Sequence, residues 1–463
     1  MLFNSFTFLA FFSVFFILYW TFKSNYNFKI ILIVISSYIF YGAWDYRFLS
    51  LIIFSSLVDF YCGKKIFDGK KSYLYISLFL NLGFLAYFKY CNFFIDSFNN
   101  LLEIIGFRNQ INSLKIILPV GISFYTFQTL SYSLDIYKNK IKPETNLLTF
   151  MAFVSFFPQL VAGPIERASS LLPQLKKTPL ISESYLREGL KLILFGLFKK
   201  VVIADQIAPH VNIIFEQHNN LSPFDLIQGA FLFALQIYGD FSGYSDIAIG
   251  ISLLLGIRLM RNFRFPYFSR DIKEFWQRWH ISLSSWFRDY LYIPIGGSRY
   301  GSKRTYINLT AVFVISGFWH GANFTFILWG LYHAILYLPY YFWFKQKKND
   351  SNILSFFKPF LTFIIVTIGW IIFRSESINQ LIGYLKNILI VNDNSIPYNI
   401  PMTLYFLILF QFVIEYLYNS KEYVFESNRG GVYKLARVLT YYTVLALIFQ
   451  YSGDKSDFIY FQF

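Results

Sequence analysis

Long uncharged stretches separated by short basic loops set the pattern of the first third of the chain. Ser5–Phe22, Phe28–Trp44, Phe48–Cys62 and Tyr73–Phe88 are nearly free of charge. Several approach the roughly 20 residues that carry a helix across a bilayer. Counted along the whole chain, such runs predict about 11–13 membrane-spanning helices. The first run lacks a basic leader and a small-residue cleavage site, so it is expected to stay as a span and not to be removed as a signal. The rhythm holds to about residue 145 and resumes after Thr305. Between Pro158 and Arg304 it is interrupted by Pro164, Lys199-Lys200, Asp240, Asp246 and the charged stretch Arg261–Arg304. Irregular backbone at membrane depth is tolerated only where protein buries it or a wet cavity takes it up. We therefore expect one integral-membrane domain over residues 1–463, with helical scaffold over 1–145 and 336–463 and the chemistry in 146–335. Ile390–Pro401 reads as a polar loop.

Composition makes the solvent explicit. With 14% charged and 56% apolar residues, the chain lies far from soluble domains, in which about 25% of residues are charged. It is a protein of the lipid bilayer. The net charge of +15 does not indicate nucleic acid, because the basic residues sit between the apolar runs and not on one soluble face. Lys23 and Lys29, then Lys64, Lys65, Lys70 and Lys71, then Lys138, Lys140 and Lys142 mark alternate loops. The positive-inside rule places these in the cytoplasm and the N-terminus outside. Cys62 and Cys91 then fall on opposite sides of the membrane, too far apart for a disulfide.

The candidate chemistry gathers around two histidines, each directly behind a tryptophan: Trp279-His280 and Trp319-His320-Gly321. Five of the nine tryptophans, Trp276, Trp279, Trp286, Trp319 and Trp329, lie in this region. A neutral imidazole among aromatic rings can pass a proton near neutral pH. Ile272–Leu291 is predicted as one amphipathic helix, its apolar residues recurring at three- and four-residue steps. On it His280 projects about 40° from Trp276, so an interfacial helix with a histidine at its border is the plain alternative. Gly317 and Gly321 flank His320 and could serve helix packing alone, but an ionisable group within the membrane argues for function. His333 reads as a satisfied structural histidine. Asp240 and Asp246 fall about 240° apart on a helix, so they form no carboxylate pair, and each is expected to orient a histidine or arginine or to line a cavity. Metal-ligand spacings, phosphate-cradling glycine loops and the Gly-x-Ser-x-Gly nucleophile turn are missing, and no metal is expected.

The run Phe275-Trp276-Gln277-Arg278-Trp279-His280-Ile281-Ser282-Leu283-Ser284, continuing through Trp286-Phe287-Arg288-Asp289-Tyr290 to Gly296-Gly297-Ser298-Arg299, resembles the alginate O-acetylase branch of the membrane-bound O-acyltransferases. Pro119–Phe127, Asp240–Gly250 and Gly317–Asn323 agree with it in the same order. The resemblance implies an all-α membrane fold in which re-entrant and interfacial helices surround a central funnel. His320 then matches the catalytic histidine and His280 its companion, with Trp279, Trp319, Asn323, Asp246, Asp289 and Arg288 in support.

The implied activity is transfer of acetyl from a cytoplasmic thioester, acetyl-CoA, toward an exported cell-envelope polysaccharide at the bacterial cytoplasmic membrane. An extracytoplasmic hydrolase-like protein would be its partner. In that scheme His320 acts as general base, and His280 holds or polarises the acyl carbonyl while Asp246 or Asp289 orients an imidazole; a covalent acetyl-histidine intermediate is the mechanistic alternative. A D-alanyl exporter for teichoic acid and a lipid-linked sugar flippase are the rival readings. A flippase often carries inverted repeats, and the two halves of this chain show no matching broken spans.

Overall fold

The computed structural model describes residues 1–107, 111–161, 163–180, 182–342, 352–390, 397–425, 432–453, 456, 458 and 459. The regular elements among them are helices. Residues 391–396 of the predicted polar loop lie outside the described set. The chain forms two compact units, Met1–Tyr185 with Ser252–Met260, and Leu186–Ile251 with Arg261–Phe463.

The first unit contains α1 (Phe6–Thr21), α2 (Tyr26–Asp45), α3 (Leu49–Phe67), α4 (Ser72–Leu85), α5 (Cys91–Ile104), α6 (Ile122–Tyr137), α7 (Leu147–Ser155), α8 (Phe157–Leu160) and α9 (Ala168–Lys176). Polar residues start the apolar runs: Ser5, Asn25 and Asn146 each accept a backbone N–H of the first helical turn, as helix N-caps do. Among the described residues, three helical runs are long and apolar enough to cross a membrane, Tyr26–Phe67, Ser72–Ile104 and Phe357–Arg374, and Phe6–Thr21, Phe324–Pro339 and Met402–Tyr418 are shorter apolar helices. Phe28–Trp44 and Phe48–Cys62 fall on the consecutive helices α2 and α3, which the 3-10 turn Tyr46–Phe48 connects.

Two buried polar features organise this unit. Asp59 of α3 is fully buried, and its carboxylate accepts Ser77 Oγ at 2.5 Å, Asn81 Nδ2 at 2.8 Å and Ser133 Oγ at 3.3 Å. These donors come from α4 and α6, so one carboxylate ties three helices together. Lys29 was counted from sequence as a loop charge. It is instead buried in the first turn of α2 and donates to the carbonyls of Leu175 at 2.8 Å and Lys177 at 2.6 Å, satisfying the carbonyl end of α9. Cys62 and Cys91 are free thiols.

In the second unit α10 (Glu183–Leu197), α11 (Asp205–Glu216) and the 32-residue α12 (Pro223–Leu254) precede α13 (Ile272–Arg278) and α14 (Ile281–Phe287). Next come α15 (Gly301–His320), α16 (Phe324–Phe342), α17 (Asn352–Arg374), α18 (Ile378–Leu389), α19 (Met402–Tyr418) and α20 (Val432–Gln450). Helices α10 and α12 meet through glycines spaced seven apart on each. A Cβ on Gly196 would lie 2.6 Å from the Gly243 carbonyl, and one on Gly250 would lie 2.6 Å from that of Gly189. Only glycine permits so close an approach. Beyond the crossing, two buried lysines in the π-helical turn Phe198–Ala204 reach aspartates of α11 and α12. Lys199 pairs with Asp246 at 2.6 Å, and Lys200 with Asp240 and Asp205 at 2.8 Å each.

Asp59→Leu would leave the hydroxyl and amide donors of α4 and α6 buried without an acceptor, each at about 1–3 kcal/mol. The variant should show a lowered thermal unfolding midpoint in detergent, and Asp59→Asn a smaller drop. Parental melting of Asp59→Leu would show that the network contributes nothing.

Candidate active site

The helix predicted over Ile272–Leu291 is broken at its centre. Helix α13 ends at Arg278, Trp279 is extended, and His280 adopts a left-handed conformation with φ 44° and ψ 54° before α14 begins. The cause lies 18 residues earlier. The Arg264 N–H donates to the Arg278 carbonyl at 2.9 Å and the Ile281 N–H to the Asn262 carbonyl at 2.9 Å, so the 262–264 segment takes up the groups a continuous helix would have paired internally. The Asn262 side chain completes the junction. Its Oδ1 lies 3.0 Å from His280 Nδ1, accepts Ser282 Oγ at 3.0 Å and lies 3.4 Å from the Ser282 N–H.

His320 arrives from another direction, as the last residue of α15. Helices α15 and α16 form a hairpin through two glycine contacts. A Cβ on Gly317 would lie 2.2 Å from the Phe326 carbonyl, and one on Gly330 would lie 2.3 Å from that of Phe313. Gly317 therefore does the packing that the plain reading assigned to it, and in doing so fixes where the histidine emerges.

The two Trp-His pairs converge. His280 and His320 are buried, with ring centroids 6.5 Å apart. Phe241 stands edge-on to His280 at 4.7 Å, and Trp319 lies 6.3 Å from it. Trp319, Trp329 and Phe373 surround His320 at 5.0, 5.3 and 5.4 Å. Trp279 packs at 5.6 Å on Phe275 and 4.8 Å from Trp370. Two histidines 40 residues apart thus share one aromatic cage, which sets two rings able to carry a proton side by side.

Other expected members stand elsewhere. Asp246 is engaged by Lys199 and not by an imidazole, because the glycine contacts of α10 and α12 bring the lysine to it first. Asp289 pairs with its neighbour Arg288 at 2.8 Å, with 27% and 63% of the two side chains exposed. Asn323 accepts the Thr325 N–H at 3.1 Å and donates to the Glu376 carbonyl at 2.7 Å, and so ties down the turn after His320. His333 is not a satisfied histidine. It is fully buried between Trp276 at 5.0 Å and Trp329 at 4.8 Å, and among the described residues neither ring nitrogen has a hydrogen-bond partner. The indole rings beside it offer faces and not acceptors. Sequence reasoning missed Asn262, Phe241, Trp370 and Phe373. Only the polar Asn262, set in the charged stretch after α12, carried a signal that could have been followed.

The family model of the membrane-bound O-acyltransferases, MBOAT, matches residues 72–378. A probable alginate O-acetylase of Pseudomonas putida is 39% identical over 387 residues, covering 81% of this chain and 77% of its own length. The peptidoglycan O-acetyltransferase of Helicobacter pylori is 32% identical over 484 aligned positions, covering 93% and 91%. The teichoic acid D-alanyltransferase of Bacillus subtilis is 31% identical over 276 residues, covering 56% and 69%.

Gly317→Ala should push α15 from α16 at a cost of about 1–3 kcal/mol, lowering the unfolding midpoint. Gly453→Ala, where an added Cβ meets nothing within 4 Å, should be neutral. Equal midpoints for both variants would remove the packing argument.

Proposed function

The chain belongs to the membrane-bound O-acyltransferase (MBOAT) family, and on that premise we propose that it moves acetyl groups from a cytoplasmic thioester to an exported cell-envelope polysaccharide. As an integral-membrane O-acyltransferase it draws on an acyl donor. In our reading that donor is acetyl-CoA, the membrane is the bacterial cytoplasmic membrane, and the acceptor is an alginate-like exopolysaccharide or the glycan of peptidoglycan. Relatives named as O-acetylases or O-acetyltransferases cover 81% and 93% of the chain, against 56% for the D-alanyltransferase, which favours acetyl over D-alanyl.

The observation that carries the reading is the pair of buried histidines with ring centroids 6.5 Å apart. The acceptor hydroxyl oxygen attacks the acyl carbon, a C–O bond forms and the C–S bond breaks. His320 takes the hydroxyl proton and returns it to the departing thiolate, which leaves as the thiol. His280 engages the substrate beside it. The segment 146–335 supplies this chemistry, with residues 1–145 and 336–463 as scaffold, although Trp370 and Phe373 reach in from the latter to line the cage. An extracytoplasmic, hydrolase-like partner collects the acetyl group, because a polymer acceptor must be gripped for its hydroxyl to stay within about 3.5 Å of the acyl carbon.

In proteoliposomes loaded with labelled acetyl-CoA, His320→Ala should lower thioester cleavage by about 10²- to 10⁴-fold at parental protein abundance. His280→Gly, which suits the left-handed backbone, should be similarly impaired. Parental cleavage by a well-folded His320→Ala protein would end the assignment. The same vesicles with polymer outside should acetylate it slowly or not at all until the partner is added. Rapid polymer acetylation by this chain alone would dispose of the partner.

A further inference from the structure

We infer that Asn262 is a positioning residue: it fixes the tautomer of His280 so that the ring presents a hydrogen-bond acceptor, Nε2, to a hydroxyl of the acceptor. The inference rests on the acyltransfer reading above and goes beyond it, since none of the sequence runs that carry the family resemblance includes position 262. Three groups converge on Asn262 Oδ1: His280 Nδ1 and Ser282 Oγ, each at 3.0 Å, and the Ser282 N–H at 3.4 Å. A backbone N–H can only donate. The amide atom facing it is therefore the oxygen, and that settles which way the side chain is turned. An oxygen in that place can only accept, so His280 Nδ1 must carry the proton.

A neutral imidazole has one N–H, and with it on Nδ1 the lone pair lies on Nε2. His280 Nε2 is buried and has no hydrogen-bond partner among the described residues. The rings around it, Phe241 at 4.7 Å and Phe263 and Trp319 at 6.3 Å, include two phenyl rings with no polar atom and one indole that can only donate. This revises the role expected from sequence. A group that polarises an acyl carbonyl must donate, and His280 in this tautomer accepts. Its partner is then an O–H, and the O–H groups in the proposed reaction belong to the acceptor. The left-handed backbone serves the same end: His280 and Asn262 are linked twice, by the side-chain contact and by Ile281 N–H to the Asn262 carbonyl at 2.9 Å, so ring and anchor move together.

The test pairs a direct readout with a functional one. Nitrogen-15 NMR of histidine-labelled protein in lipid bilayers, with the His280 signals identified by their loss in His280→Gly, should show Nδ1 protonated and Nε2 bare. Asn262→Leu should mix the two tautomers, and Asn262→Asp, which keeps an acceptor oxygen, should preserve the first. In cells, alkali-labile acetate on the envelope polysaccharide should fall about 10- to 100-fold in Asn262→Leu, the range found when a residue that orients a functional histidine is lost. Asn262→Asp should recover most of it. A proton on Nε2 in the parent protein overturns the inference, and so does parental acetylation by Asn262→Leu when His280→Gly is inactive. Parental acetylation by His280→Gly would instead refute the acyltransfer role of His280 and leave the tautomer measurement to judge Asn262 alone.

Discussion

A chain dissolved in lipid cannot leave its polar groups to water, and that constraint decides most of what is ordered here. The carboxylate of Asp59 is met by two hydroxyls and an amide. Lys29 is met by two carbonyls, and Lys199 and Lys200 by three aspartates. Each solution depends on backbones held at a set distance. In the second unit glycines set that distance, since the lysines meet α12 only because α10 approaches it without intervening side chains. Buried ion pairs of this kind add little net stability, but removing one partner strands the other. They act more as registers than as glue.

Against that background the unsatisfied atoms stand out. Trp276 Nε1, Trp329 Nε1, His280 Nε2 and both nitrogens of His333 lack partners among the described residues; the rings of Trp276, Trp329 and His333 pack on one another, and His280 joins them through His320. Elsewhere two or three groups settle a single charge, as at Lys29 and Asp59. Here the protein gathers polar atoms and leaves them open. A region that breaks the rule of internal satisfaction is where a polar substrate has something to replace.

The sequence made the outline legible because its strongest signals are local. Uncharged runs predicted the membrane helices, caps such as Ser5 and Asn25 marked their starts, and two Trp-His dipeptides marked the chemistry before any geometry was known. What it hid was non-local. Nothing near residue 280 announces that Asn262 breaks the helix there, since the three- and four-residue periodicity of Ile272–Leu291 runs unbroken through a histidine whose φ is positive. Periodicity reports which face is apolar and not whether the backbone is continuous. The partner of Asp246 is hidden for a related reason: Lys199 lies 47 residues away, and the close crossing of α10 and α12 brings it to a carboxylate that also lines a small cavity beside Arg261.

The left-handed conformation at His280 sets durability against turnover. A side chain with a Cβ pays roughly 1–2 kcal/mol to sit there, and glycine would not. Improvement of this protein for heat tolerance alone therefore pulls the position toward glycine, and only the demand for a working ring pulls it back. Such a residue is a fault line for engineers, since redesign guided by stability alone would erase the histidine and score the result as a gain.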